Sequence, residues 1–421
     1  MPGVVASAGD YTVELDTGFL QDAFTLDNAT SGVLNNTQYV LDGTTEFADI
    51  TGYVVGVNYK RGRSTPFDQF GAGSMSFTLN DTLAGGLLNP FNTNSVYYDP
   101  TDNLPGLAPM RRVRIFRETT PLFEGVVETY NYQYDLDRQN FITVNCVDDF
   151  YLLANTFMAA FNPTAETSGQ RITTVLALPE VAYTGATSIA TGTVNLGHAA
   201  AYDVAAGTNV LAYLQQINSS AEFGRLFMSA NATLTFQERI GTTLSSPVAV
   251  FSDQGTDFKY RNVEIEFDAR QVVNRAVVTG LNGTSDTDQD AASQATYFVQ
   301  TRDIGQSLLH ETAEIEAAAA YLLEPQPQPR LTALTVNLAM LSDAQRDTVA
   351  LIDIGDTIEI TVDVPNFGTI TEELTVEGIN GDIALDGGHT LTFYTAETTV
   401  VTLLILDDAT YGVLDSTNVL G

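Results

Sequence analysis

A two-residue period restricts this chain more than any other feature. Apolar and polar side chains alternate through GSMSFTLND (73–81), RRVRIFRET (111–119), NFITVNCVD (140–148), ATLTFQERI (232–240), RNVEIEFDA (261–269) and DTIEITVDV (356–364). Successive side chains of a strand point to opposite faces, so this spacing builds half-buried strands and gives a helix no continuous apolar stripe. Gly, Asn, Asp and Pro separate the runs, as turns require. Two stretches stand out as helices. NVLAYLQQINSSAEF (209–223) places Val210, Leu214, Ile217 and Ala221 on one face. LLHETAEIEAAAAYLLE (308–324) consists of strong helix formers, carries His310 and stops at Pro325, where PQPQPR begins a stiff extended linker.

The pattern predicts a multidomain, mainly β chain with a minor α+β part. A chain of 421 residues is too long for one ordinary core. The punctuation divides it into a β domain at 1–155 and a small α+β unit at 156–245. Residues 246–325 hold strands, a polar loop and the Ala-rich helix that complete the second half, and 326–400 return to strands. Residues 401–421 are an apolar extension with acidic turns, among them Asp407 and Asp408. The segments RRVRIFRETTPLFEGVVETYNYQYDLDRQNFITVNC and DTIEITVDVPNFGTITEELTVEGINGDIALDGGHTLTFYT share one pattern: strand, turn, a strand with a Val-Glu or Glu-Gly step, polar turn, strand. They read as a distant internal repeat.

Charge excludes several functions. The formal net charge is −34, from 52 acids against 18 cations, which opposes unaided binding to nucleic-acid phosphates or to an anionic membrane. Residues 1–59 carry eight acids and 347–421 carry 14, with no Lys or Arg in either stretch. The cations gather instead: Lys60, Arg61, Arg63, Arg111, Arg112, Arg114 and Arg117 are seven of the 18. No apolar run is long enough to span a membrane, and the N-terminus has neither the basic nor the apolar region of a signal peptide.

The catalytic inventory is thin. His198, His310 and His389 have no second His or Cys at ligand spacing, and they read as structural. Cys146, the one cysteine, alternates with apolar residues and reads as a buried thiol. No nucleophile elbow or phosphate loop is present, so no cofactor is expected. NGTSDTDQD (282–290) spaces Asp286, Asp288 and Asp290 as a calcium loop would, but lacks the loop's Gly and closing Glu. A solvated loop is the reading preferred there.

ADITGYVVGVNYKRGRSTPFDQFGAGSMSFTLND, with its basic Arg-Gly-Arg step, aromatic-Gly-x-Gly step and closing strand, resembles the N-terminal signature of minor tail proteins of long-tailed bacteriophages. LNPFNTNSVYYDPTDNLPGLAPMRRVRIFRETTPLFEGVVETYNYQYD continues the likeness, as do Gly197, the 209–223 helix, EFGRLFMSANATLTFQER and the closing LLILDDATYGVLDSTNVLG. In that family the 228–236 hairpin turns on Gly, and here Asn231 is expected to supply the positive φ. The resemblance implies a non-enzymatic baseplate hub at the distal tip of the virion tail, or of a related gene-transfer particle. It implies two tube-like β-barrels per chain plus a small α+β domain. A homotrimer would supply six barrel positions to mate with a sixfold tube, and its lumen would pass DNA. The partners implied are the distal tail protein ring, the tape-measure protein C-terminus and other tail-tip or fibre proteins.

An acidic lumen suits DNA passage, but acidic subunits repel one another. The seven clustered cations are therefore expected at the subunit interface, gripping carboxylates of a neighbouring chain. Local partners on a solvated strand face are the alternative. Three other functions stay open: a hexameric distal tail ring, a receptor- or glycan-binding tip module that could use Tyr97, Tyr98, Tyr130, Tyr132 and Tyr134, and a cell-wall hydrolase. Residues 76–91 read either as a loop reaching a neighbouring ring or as one folded on its own domain.

Overall fold

A computed structural model of the chain describes residues 11–19, 47–65, 68–99, 103–135, 140–198, 202–239, 246–364, 366–384 and 388–397. The 401–421 extension, with Asp407 and Asp408, lies outside the described residues. Strands make up 45% of the structure and helices 19%, so it is mainly β, as the period-two runs predict.

The first strands are β1 (Tyr11–Asp16), β2 (Phe47–Asp49), β3 (Val54–Gly62), β4 (Ser74–Asn80), β5 (Arg112–Arg117), β6 (Thr120–Tyr134) and β7 (Asn140–Val147). A helical region follows, with α1 (Asp149–Ala154), α2 (Ser168–Leu176), α3 (Val210–Ile217) and the hairpin of β8 (Arg225–Met228) and β9 (Leu234–Gln237). Next come β10 (Ala249–Ser252) and β11 (Asn262–Glu266). A separate small sheet of β12 (Arg275–Gly280), β13 (Ser285–Gln289) and β14 (Thr301–Ser307) carries α4 (Ala291–Tyr297) and α5 (Thr312–Leu322). The last elements are β15 (Arg330–Asn337), α6 (Asp343–Leu351), β16 (Thr357–Val364), β17 (Gly368–Ile383) and β18 (His389–Glu397).

Thirteen strands join in one sheet, ordered β11-β15-β18-β17-β3-β4-β7-β6-β5-β1-β2, with β16 and β10 branching from β17. Alternation drives it: Met75, Phe77 and Leu79 of β4 and Ile142, Val144 and Cys146 of β7 are all buried on the core side. Each large apolar side chain so buried contributes about 1.5–3 kcal/mol.

The sheet contains one module twice. β3-β4-β7-β6-β5 and β11-β15-β18-β17-β16 have the same spatial order and the same chain order. Even the irregularity repeats. The β6–β7 ladder slips between Val127 and Thr129, and the β17–β18 ladder slips between Val376 and Gly378. Glu128 and Glu377 are thus counterparts, each the extra residue of a β-bulge.

Three local expectations are corrected. His310 precedes α5 rather than sitting on it, because the helix begins at Thr312. The 209–223 helix is α-helical only to Ile217; a π turn over Asn218–Glu222 then ends at Phe223, whose φ is 55°. In the 228–236 hairpin the positive φ belongs to Ala232, at 55°, and not to Asn231. The Asn231 Oδ1 accepts from the Ser229 and Thr233 hydroxyls, so its side chain bends the turn and the left-handed position falls one residue later.

His389, at the start of β18, is buried between Tyr11 of β1 and Tyr59 of β3. Tyr11 Oη lies 2.9 Å from Nδ1 and Tyr59 Oη 3.3 Å from Nε2, so the neutral ring accepts from one hydroxyl and donates to the other. Burial, with Arg117 nearby, lowers the His389 pKa from 6.5 to about 3. Between those values the unfolded chain binds the extra proton, so this contribution to stability is lost as pH falls through that window. His389→Gln should flatten the pH dependence by up to ~1.4 kcal/mol per pH unit there. Urea unfolding midpoints across the window check this, and an unchanged slope would contradict it.

Candidate functional site

The two modules meet where β3 runs antiparallel to the second half of β17. Val57 faces Ile383, Tyr59 faces Gly381, Arg61 faces Ile379 and Gly62 faces Gly378. The approach is close because the glycines leave room. A Cβ on Gly381 would lie 2.2 Å from Cζ of the Tyr59 ring, which fills that space.

The clustered cations stand along this seam and around it. Arg61, 4% exposed, reaches Asp353 at 2.5 Å. The other Asp353 oxygen accepts from the Ala230 N–H, in the β8–β9 turn, at 3.0 Å. Arg63 grips Glu377 through Nε at 2.8 Å and Nη2 at 2.7 Å, and stacks over Phe70. Arg225 of β8 binds the other Glu377 oxygen at 2.7 Å. Arg117 pairs with Asp347 of α6. Arg112 makes a two-bond pair with Asp149 of α1, at 2.7 and 2.9 Å, and Arg114 pairs with Glu14 of β1 at 2.5 Å. Lys60 is exposed, and neither it nor Arg111 makes an ion pair among the described residues.

The partners of five of the seven cations therefore lie in the same chain. Three of those five pairs, Arg61–Asp353, Arg63–Glu377 and Arg117–Asp347, link the first module to elements of the second. The repeat places this module boundary inside one chain. Glu377 and Asp353, the carboxylates that organise this boundary, were not singled out in the sequence. The Val-Glu-Gly step of the repeat marks Glu377; nothing local marks Asp353.

Beside the seam opens a cleft of about 930 Å³. Arg63, Arg225, Arg239, Arg302 and Arg330 line it. Arg330 is held by Glu324 and Glu397, each at 3.2 Å, and Arg239 stacks on Tyr321 at 4.5 Å. Burial, with Arg63 nearby, lowers the Arg302 pKa from the usual arginine value. Most of these guanidinium groups are already paired, so the cleft wall is a structural charge lattice. Among the described residues no three His, Cys, Asp or Glu side chains gather as metal ligands.

The remaining sequence candidates are dispersed. Asp286 and Asp288 stand on β13, and Asp290 caps α4 through the Ser293 N–H. Residues 285–289 of the stretch expected to be a loop are thus a strand, and the three carboxylates spread along it and the helix cap that follows. Tyr130, Tyr132 and Tyr134 stack in a row on β6, with centroids 6.2 and 6.4 Å apart. Residues 81–88 fold back on their own module, with the Leu88 N–H donating to Asp81 and the Leu88 side chain buried. Among the described residues no helix is long and apolar enough to cross a membrane.

A doubled β-module with a helical insert defines the class of fold, and that fold is shared with phage tail proteins. A tail protein from Neisseria meningitidis MC58 matches with a TM-score of 0.56 at 14% identity, over 92% of this chain and 97% of that one. The 43 kDa tail protein of prophage MuSo2 from Shewanella oneidensis matches with a TM-score of 0.52 at 9% identity, over 92% and 98%. No protein-family model and no curated protein sequence matches the chain.

Proposed function

We propose that the chain is a structural hub of a phage-type tail tip. In this reading three copies form a ring that joins a sixfold tail tube to the adsorption apparatus and surrounds the DNA channel. The observation that carries it is the module repeated within one chain, because three chains then present six similar units to a sixfold neighbour. The fold shared with phage tail proteins supports it, and so does the charge of −34, which keeps phosphates from adhering to a channel wall. The neighbours in this proposal are the distal tail ring, the end of the tape-measure protein, and tip or fibre proteins. The work is mechanical and no enzymatic activity is assigned.

Light scattering of the purified chain at low and high salt is expected to give three times the chain mass. Six copies would favour a distal tail ring instead, and a monomer at both salts would remove the ring.

A further inference from the structure

Among the described residues the two edges that correspond to the seam inside the chain are left without a strand partner. In the repeat, β11 corresponds to β3, and Thr129–Tyr134 of β6 corresponds to Gly378–Ile383 of β17. Among the described residues β11 pairs only with β15, which leaves its outer edge open. β6 pairs with β5 up to Val126 and with β7 through Tyr134. Among the described residues no strand pairs with the side of Thr129–Tyr134 away from β7, whereas the matching side of β17 is covered by β3. Open edges of this kind are templates for pairing.

Resting on the trimer reading above, we infer that β11 of one copy pairs antiparallel with Thr129–Tyr134 of the next copy, repeating the β3–β17 seam between chains. Counterpart positions set the register. Asn58 and Glu264 occupy the same place, since they face Ser76 and Ala333, which in turn face Asn145 and Tyr394, partners of Thr129 and Gly378. Carrying the internal seam over sets Tyr134 against Val263, Tyr132 against Ile265 and Tyr130 against Phe267.

The side chains fit this register. Val263, Ile265 and Phe267 alternate onto one face, and so do the three tyrosines. Ile265 is 49% exposed, Phe267 70% and Tyr134 50%, a large apolar content for free strand edges. Facing aromatic and β-branched residues stabilise antiparallel pairs. The sizes are exchanged relative to the internal seam: there Tyr59 covers Gly381, whereas between chains Tyr132 would cover the smaller Ile265. Charge also matches. Glu128, the counterpart of Glu377, is exposed and pairs with no cation among the described residues. Arg270, whose side chain is 76% exposed and bonds the nearby Asp268 in the same chain, stands one residue beyond the counterpart of Arg63 and would exchange that local partner for Glu128. The partner is a second copy of this chain because each open edge is the counterpart of a strand the other already pairs with.

The test is a disulfide across the predicted seam in the full chain carrying Tyr132→Cys and Ile265→Cys. Facing residues of an antiparallel pair lie about 4.5–5.5 Å apart, within disulfide reach. Cys146 is 1% exposed in the core and does not compete. Oxidation should give covalent dimers and trimers on a denaturing gel. The pair Tyr132→Cys with Glu266→Cys points to opposite faces and should give none. A protein that is trimeric by light scattering but fails to cross-link, or cross-links equally with the shifted pair, overturns the seam and leaves the trimer standing. A monomer that does not cross-link overturns both. A second measurement uses surface positions that leave the fold intact. Glu128→Arg or Arg270→Glu alone should raise the concentration for trimer dissociation about tenfold, and the two together should restore it. Equal behaviour of all three variants overturns the charge pairing.

Discussion

Glu377→Ala should destabilise the protein by about 3 kcal/mol or more, the largest single-residue effect expected here. Glu377 is 2% exposed and receives three guanidinium contacts, two from Arg63 and one from Arg225. Removing it leaves two arginines, each about a fifth exposed, facing each other without their shared carboxylate. That partial exposure places the effect at the lower end of the range for broken buried pairs. Its counterpart is the internal control. Glu128→Ala, at the same bulge in the first module, is expected to change monomer stability by less than about 0.5 kcal/mol. Denaturant unfolding of both variants reads the contrast, and equal losses would mean that Glu377 is not special to the seam.

Gly381→Val is the second large effect. The new Cβ would enter the Tyr59 ring, and valine adds two further methyl groups. Overpacking costs ~1–3 kcal/mol, and displacing the ring also loses the Tyr59 contact with His389, worth roughly 1 kcal/mol. Tyr59→Ala in the Gly381→Val background should recover part of the loss, because it vacates the contested space. A double-mutant cycle measures this coupling, and strict additivity would show that the two residues do not compete.

The strands were readable because alternation is a local property, and the runs at 73–81, 140–148 and 356–364 lie within β4, β7 and β16 and their turns. The repeat was readable only in part. β5-β6-β7 and β16-β17-β18 are each contiguous in sequence, so their shared Val-Glu step could be noticed. The counterpart of β3 and β4 could not, because a small sheet with two helices is inserted between β11 and β15. Partners of the cations were hidden for a related reason: Arg61 and Asp353 are 292 positions apart, and Arg63 and Glu377 are 314 apart. Composition shows that such arginines need carboxylates, and only the fold says which. The calcium-like spacing of Asp286, Asp288 and Asp290 misled because alternate residues are also what one face of a strand displays.

The β8–β9 hairpin has a consequence for mechanics. It touches both carboxylates of the seam, Glu377 through Arg225 and Asp353 through the Ala230 N–H. Two strands bonded edge to edge can still twist about their common line, but a third body fixed at two points beside that line removes this freedom. The helical region thus works as a gusset that braces one module against the next. In the proposed ring, curvature would then be set inside each subunit, and load passing along the wall would be carried by a braced corner instead of a hinge.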